Sequence, residues 1–560
     1  MIHGRFGGGC WWKAVVVVAL VTSSQRSTGA EESGHPEDPS GITPQEAVAA
    51  GPAAGPDAGE EAPVTPEAGP AAEASQATAA AGLPEAPAAD ADRDAGAVAD
   101  GPDPAAAAGS EGVGEAAVHR AGAGHTRVRL KLDVTGEIFA TVGADAPPLR
   151  LPTKLEARFD FIESAGDAAE GGVVVRWDRD AVAELCVAGP PQRVALAADA
   201  REVRFALLGM TPAPFLASGH LTREEMDLLE TPFDPLLMEA ILPRSPVAEN
   251  EPWVIPPDAT AGLLTIDTVE SGRVEARVTG VTDGVATVAI EGIVDGAVDG
   301  VPTHVTVEGT CVLPVAAGDG KLTLDTPPSS ASLTLRERRE AGHVAPGFDV
   351  EAHVSFARDQ ASADEAEEAS AGGESVRSGG SGRPGLVWHR DRLGRYEIVH
   401  DGRWKTIEDG LDGLEMRLVD RGALLAQCSV TALPRGPASA PPTSAEVERD
   451  LQRSLAGQAT GIEHSSEASR SDGVRIVRVV ATGKAGDLPF RWVHAVLTDA
   501  SGQRVAVTCM LEGGLRDRFG NADRDLVDGI SLPRAAAANQ DGPGEPIERE
   551  ARLPPATPTP

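Results

Sequence analysis

Residues 126–134 read TRVRLKLDV, and this stretch decides the fold of the region that follows it. Val128, Leu130, Leu132 and Val134 fall on one side of an extended chain, and Arg127, Arg129, Lys131 and Asp133 fall on the other. A period of two sets one group against a core and the other in water, which is the pattern of a half-buried antiparallel strand. The same alternation recurs in KLEARFDF (154–161), GVVVRW (172–177), EVRFALL (202–208), GRVEARVTG (272–280), VATVAIEG (285–292), HVTVEGTCVL (304–313), ASLTLRERR (331–339) and FDVEAHVSF (348–356). Asp283-Gly284, Asp295-Gly296 and Asp299-Gly300 read as turns between such runs, because Asp-Gly tolerates the positive φ of tight hairpins. Residues 126–358 are expected to form a β-rich antiparallel meander.

One helix interrupts this meander, in LTREEMDLLETPFDPLLMEAIL (221–242). Thr222 followed three residues later by Glu225 predicts a capping box, and Glu224 and Glu225 lie where the helix dipole favours negative charge. Pro232 and Pro235 end the helix before Leu236, Leu237, Met238, Ile241 and Leu242. Capping and solvation account for the acids. Glu224, Asp227 and Glu230 are the alternative, a divalent-cation cluster, but the alternating oxygen ligands of a calcium loop are absent.

Residues 386–535 follow a different order. RYEIVHDGRWK (395–405), LEMRLVD (414–420) and ALLAQCSVTAL (423–433) read as strands. A helix then starts near Ser444, where Thr443 and Glu446 repeat the capping box and Val447, Leu451 and Leu455 share a face. VRIVRVVAT (474–482), PFRWVHAVLTD (489–499) and QRVAVTCMLE (503–512) are further strands, and NADRDLVDGISL (521–532) is a closing amphipathic helix. Strands, helix, strands and helix predict an α+β domain with helices on an antiparallel sheet.

This order of elements resembles the PsbP-like α/β/α sandwich. The segments LTREEMDLLETPFDPLLMEAILP, GHVAPGFDVEAH, RLVDRGALLAQCSV and VRIVRVVATGKAGDLPFRWVHAVLTDASGQRVAVT are similar to those of a family of secreted planctomycete proteins with no assigned activity. The resemblance spans both folded regions and transfers no catalytic residue. It implies a module for assembly or binding rather than an enzyme.

The remaining chain sets the context. Residues 1–30 place Arg5 and Lys13 before an apolar run from Ala14 to Val21 and small residues at Thr28 and Ala30, the order of an export signal with cleavage after Ala30. Retention of this segment as an anchor is the alternative. Residues 31–125 are rich in Ala, Pro, Gly and acids and hold no aromatic side chain, so they are expected to be a disordered acidic linker. Residues 359–385 are read as a flexible polar connection and 536–560 as a disordered tail. The net charge of −36 opposes nucleic acid and anionic membrane surfaces as partners. The expected location is extracytoplasmic, periplasmic or secreted.

Outside the export signal the cysteines are Cys186, Cys311, Cys428 and Cys509. Strand parity puts Cys428 with Leu424, Ala426 and Val430, and Cys509 with Val505, Val507 and Leu511, so both point into one core. They are read as buried apolar thiols or as a bridged pair. No nucleophile elbow, phosphate loop, zinc-protease helix, C-x-x-C or dinucleotide fingerprint occurs, and no catalytic, cofactor or metal residue is assigned. His343 and His353 around Asp349 form a weak zinc candidate, and hydrogen-bonded surface histidines are the simpler reading. His494, between Trp492 and Val496, is expected to be a core histidine. Arg475, Arg478 and Arg491 are a candidate basic patch. The expected function is non-catalytic: an envelope binding or assembly factor, or a carrier of an apolar ligand in the β-rich domain. A hydrolase with an unrecognised site is the competing class.

Overall fold

The computed structural model describes residues 124–140, 147–165, 172–318, 320–341, 346–371, 382–437, 440–455, 458–485 and 488–533. The stretches read as export signal and tail, nearly all of the stretch read as acidic linker, and His343 lie outside these residues. All described residues belong to one compact unit. The fold is β-rich, with large antiparallel sheets and few helices.

A 12-stranded sheet runs, neighbour to neighbour, through Thr211–Phe215, Glu202–Leu208, Val174–Val187, Leu149–Ala165, Thr126–Ala140, Gly347–Gln360, Ser330–Arg339, Val301–Pro314, Val285–Val298, Thr268–Thr282 and Pro252–Ile255, with Gln192–Ala195 added on Val174–Val187. The alternation of 126–134 does what it predicts: Val128, Leu130, Leu132 and Val134 are buried. Asp283-Gly284 and Asp299-Gly300 form hairpin turns with positive φ at both residues. Asp295-Gly296 does not turn. It lies inside the strand Val285–Val298, where the register against Thr268–Thr282 shifts between the two residues. Gly is needed there because a Cβ would run into the Thr268 carbonyl, and Asp295 instead accepts a hydrogen bond from Ser271 and pairs with His304.

Two helices cross this region, one more than expected. Helix α1 (Arg223–Leu229) carries the predicted capping box: the Glu225 amide donates to the Thr222 hydroxyl and the Thr222 amide to the Glu225 carboxylate. After it a 3-10 helix, Pro235–Ile241, delivers Leu237, Met238 and Ile241 to the core. Helix α2 (Pro257–Leu264) adds Ala259, Leu263 and Leu264 to the same core. The polar stretch after 359, read as a flexible connection, begins with helix α3 (Ala363–Ala371). Ser362 caps it, and Glu365 holds it to the sheet through Arg127 and Arg179.

A seven-stranded antiparallel sheet builds the second region, in the order Trp404–Asp409, Leu414–Asp420, Ala423–Leu433, Arg504–Glu512, Leu488–Thr498, Arg475–Ala485 and Ala459–Ser469. Helix α4 (Ser444–Ser454) packs Val447 and Leu451 on Val477, Val479, Trp492 and Val496. Helices α5 (Arg516–Phe519) and α6 (Ala522–Asp528) place Phe519, Leu526 and Val527 in a second cluster with Val493, Val507 and Cys509. Alternate residues along the strands thus feed separate apolar clusters, each with its own helix.

A small mixed sheet ties the regions together. Its order is Ile530–Ser531, Glu397–Asp401, Leu386–Arg390 and Leu221–Thr222, and the last pair is parallel, joining Leu221 to Val387 and Thr222 to Trp388. Two hairpin tips also meet: a Cβ at Gly300 would stand 3.3 Å from the Leu424 amide nitrogen, and one at Gly422 would stand 2.5 Å from Thr268 Cγ2.

Candidate functional site

Between these joined regions lies a cleft of about 410 Å³. Four stretches form it: the edge strand 211–214, the end of α1 with residues 230–237, the end of α2 through Asp267, and the 401–421 segment of the seven-stranded region. Each is placed by a local rule. Pro212 and Pro214 sit on an edge strand, where a missing amide leaves no ladder bond broken. Thr265 closes α2 in the left-handed region, with φ of 52°, and redirects the chain to Asp267. Gly262 lets α2 pass against the Met210 carbonyl, where a side chain would clash. Arg421-Gly422 is a two-residue hairpin turn with φ of 47° and 72°, and it aims Arg421 at the rim.

The body of the cleft is apolar, formed by Met226, Leu229, Leu237, Ile266 and Val419 with Leu208 at its exposed edge. The charges are arranged around it. Arg403 binds Asp401 at 2.9 Å and reaches Asp420 at 3.5 Å, and Arg518 also holds Asp420. The hydrogen bond to Asp401 raises the Arg403 pKa. Asp267 accepts from the Gly300 amide. Lys405 and the exposed Arg421 stand on the second region's wall.

Asp234 connects the cleft to a buried ionic network. Its carboxylate takes two hydrogen bonds from Arg176, at 2.9 and 2.5 Å, and caps the amide of Leu236. Arg176 also donates to Glu163 at 3.0 Å, and Arg358 donates to Glu163 at 3.1 Å. The guanidinium lies between the rings of Phe161 and Phe205, 4.4 and 4.3 Å from their centres. Beside it Asp178 is buried with its Oδ2 bonded to nothing among the described residues. Burial pushes the Asp178 carboxyl up to about 7 in spite of Arg176.

The residues singled out by sequence fare differently. Asp227 is not solvated: it is buried and paired with Arg223 at 2.5 Å, so it does not open toward Glu224 and Glu230 as a ligand set. Asp349 and His353 share the outer sheet face but stand four residues apart on one strand, about 13 Å at the usual rise, too far to bind one ion. His353 instead meets Thr334 on the neighbouring strand at 3.0 Å and Glu351 at 3.2 Å. Hydroxyl, imidazole and carboxylate follow one another as in a hydrolytic triad, yet His353 is more than half exposed on a sheet face outside the cleft. His494 is half-buried, on the sheet face that carries Trp492 and Val496, rather than in the core; it meets the Thr508 hydroxyl at 2.8 Å, and desolvation lowers its pKa to about 4.

The basic patch does not exist as such. Arg475 pairs with Glu467, Arg478 with Asp523 at 2.7 Å and Arg491 with Glu463 at 3.2 Å. The acids come from the strand Ala459–Ser469 and from α6, and nothing in the arginines' own stretches points to them. Among the described residues no group of three His, Cys, Asp or Glu side chains is placed to hold a metal ion, and no helix is long and apolar enough to cross a membrane.

No family model and no curated protein matches the chain. Among solved structures, one of lipovitellin concerned with lipid–protein interactions overlaps 46% of this chain and 26% of its own, at 8% identity and a TM-score of 0.22. The low-pH structure of Pseudomonas putida OprB overlaps 70% of this chain and 92% of its own, at 8% identity and a TM-score of 0.10. A mutant Rh. blastica porin overlaps 69% and 99%, at 8% identity and a TM-score of 0.10. Overlap at these scores carries neither fold nor function to this chain.

Proposed function

We propose that this is an exported, non-catalytic binding protein that holds a small amphipathic anion in the cleft between its two regions. The observation that carries the reading is the cleft itself, whose 410 Å³ falls within the roughly 300–1,000 Å³ of small-molecule sites. Its apolar body suits an aliphatic or aromatic chain. Lys405 and Arg421 suit an anionic end, because the second region's other cation at this wall, Arg403, is already engaged by two carboxylates. The order of basic, apolar and small residues in 1–30 supports export. The two helix-covered apolar clusters of the seven-stranded sheet support a PsbP-like arrangement of the second region, and with it a role in envelope binding or assembly.

Thermal unfolding with decanoate, decanol and decyltrimethylammonium tests this reading. Decanoate is expected to raise the midpoint in step with the logarithm of its concentration above its Kd, by about 2.7 kcal/mol of stability at a hundredfold excess, and the cation is expected to do nothing. Ala261→Trp, at a half-buried position of the cleft lining, is expected to abolish the shift while leaving the unliganded midpoint nearly unchanged. Equal shifts from all three amphiphiles, or a shift that survives Ala261→Trp, would exclude the cleft as the site.

A further inference from the structure

Cys428 and Cys509 lie directly opposite one another in the centre of the seven-stranded sheet, in a register that also pairs Gln427 with Met510 and Ser429 with Thr508. Their sulfurs are 3.2 Å apart, and both side chains are fully buried. Met416 and Val493 flank them in the same cross-strand row, so apolar side chains close the pair on both sides. Directly opposed residues of an antiparallel pair have Cα atoms roughly 4.5–5.5 Å apart, inside the range a disulfide spans. The other two described cysteines offer no competition. Cys186 is half-buried in the other sheet and donates to the Gly189 carbonyl, and Cys311 is buried in the first region's core.

We propose that Cys428 and Cys509 form a cross-strand disulfide, made by exchange with an organic disulfide while the second region folds. A thiolate of one cysteine attacks the organic disulfide, giving a mixed disulfide and releasing one thiol. The second cysteine then attacks the protein sulfur of that mixed disulfide, closing the protein bond and releasing a second thiol. Two protein thiols lose two protons and two electrons, and one organic disulfide becomes two thiols. The timing follows from burial, which raises the Cys428 pKa well above its ordinary value and excludes both the thiolate and the oxidant once the sheet has closed. The bond joins the hairpin 414–433 to the hairpin 488–512 and encloses a chain segment long enough to restrict the unfolded state strongly.

The full chain, denatured and refolded in a glutathione–glutathione disulfide buffer, provides the test. After alkylation without reduction and digestion with trypsin, the peptides Gly422–Arg435 and Val505–Arg516 are expected as one linked species, lighter by two hydrogens than their sum. Reduction before the unfolding scan is expected to lower the urea midpoint of the native sequence and of Cys311→Ala, but not that of Cys428→Ala/Cys509→Ala. Where refolding is incomplete, the same map on chain secreted into an oxidising compartment gives the answer. Full alkylation of both cysteines in chain with native circular dichroism, or linkage of either one to Cys186 or Cys311, would overturn the proposal.

Discussion

Arg176 and Asp234 face each other through two parallel hydrogen bonds, 2.9 and 2.5 Å long, with both side chains at least 96% removed from water, since their exposures are 4% and 3%. The pair fixes the turn after α1 that forms one wall of the cleft, because the same carboxylate caps Leu236. Removing one member leaves the other charged and buried. Asp234→Ala is therefore expected to cost about 3–5 kcal/mol, read as a shift of the urea midpoint at constant slope. Arg176→Met removes a charge that Glu163 and Asp234 both need and is expected to cost a comparable amount. The double variant should cost clearly less than the sum, and strict additivity would mean that the two residues are not coupled.

Two buried groups give the stability a pH dependence of opposite sign. The folded state favours neutral Asp178, whose pKa burial pushes up to about 7, so its contribution is complete below about pH 4 and is lost as pH rises through 7. Asp178→Asn is expected to gain on the native sequence by on the order of 2–4 kcal/mol at pH 8 and by nothing at pH 4. The folded state also favours neutral His400, whose pKa burial lowers to about 4. Its contribution is complete above the ordinary value of 6.5 and is lost as pH falls from there toward 4. His400→Gln should make the acid limb of the stability curve shallower. Parallel pH curves for the two variants and the native chain would contradict these assignments.

Gly422 separates conformational strain from contact. Its φ of 72° is in the left-handed region, and a Cβ would also press on Thr268 and on Ala297 across the junction. Gly284 has nearly the same φ, 76°, in a hairpin with open space around it. Gly284→Ala is expected to cost about 1 kcal/mol, for the left-handed conformation alone. Gly422→Ala should cost more, about 2–4 kcal/mol with the overpacking included, and should loosen the contact between the two hairpin tips. Hydrogen exchange at the amides of residues 268 and 297 checks the second effect.

Much of the sheet was legible because alternation is written wherever one face is buried and the other is wet, as in 126–134, 331–339 and 414–420. Ala459–Ser469 was not legible: it is an outer strand with no buried residue, so ATGIEHSSEAS shows no apolar period. Helix α2 was hidden by Pro256-Pro257, which reads as a breaker although Pro is favoured in the first turn. Asp295-Gly296 carried the signal of a turn and is a bulge, because a glycine that permits positive φ also permits close backbone approach. The cleft left no sequence signal at all. Its walls come from stretches near 212, 230, 265 and 403, and the patterns readable near 230 and 403 set a helix end and a strand without pointing to each other.

The arginines of the second sheet show what pairing changes. Arg475 and Arg478 are three residues apart on one strand and looked alike in sequence. Arg475 lies near the surface, with about a third of its side chain exposed, and its partner Glu467 is similarly open to water. Arg478 donates from Nε to Asp523 at 2.7 Å, and that carboxylate is 4% exposed beneath the strand. Solvent screens the first pair and not the second. Arg475→Met is therefore expected to cost less than about 1 kcal/mol, with the loss vanishing in molar salt. Arg478→Met strands a buried carboxylate at the start of α6 and is expected to cost about 3 kcal/mol, with little dependence on salt. Adding Asp523→Asn to Arg478→Met should recover part of that loss, because the stranded charge is then gone. Urea unfolding of the three variants and the native chain at low and high ionic strength decides it, and equal costs at 475 and 478 would show that Asp523 is solvated after all.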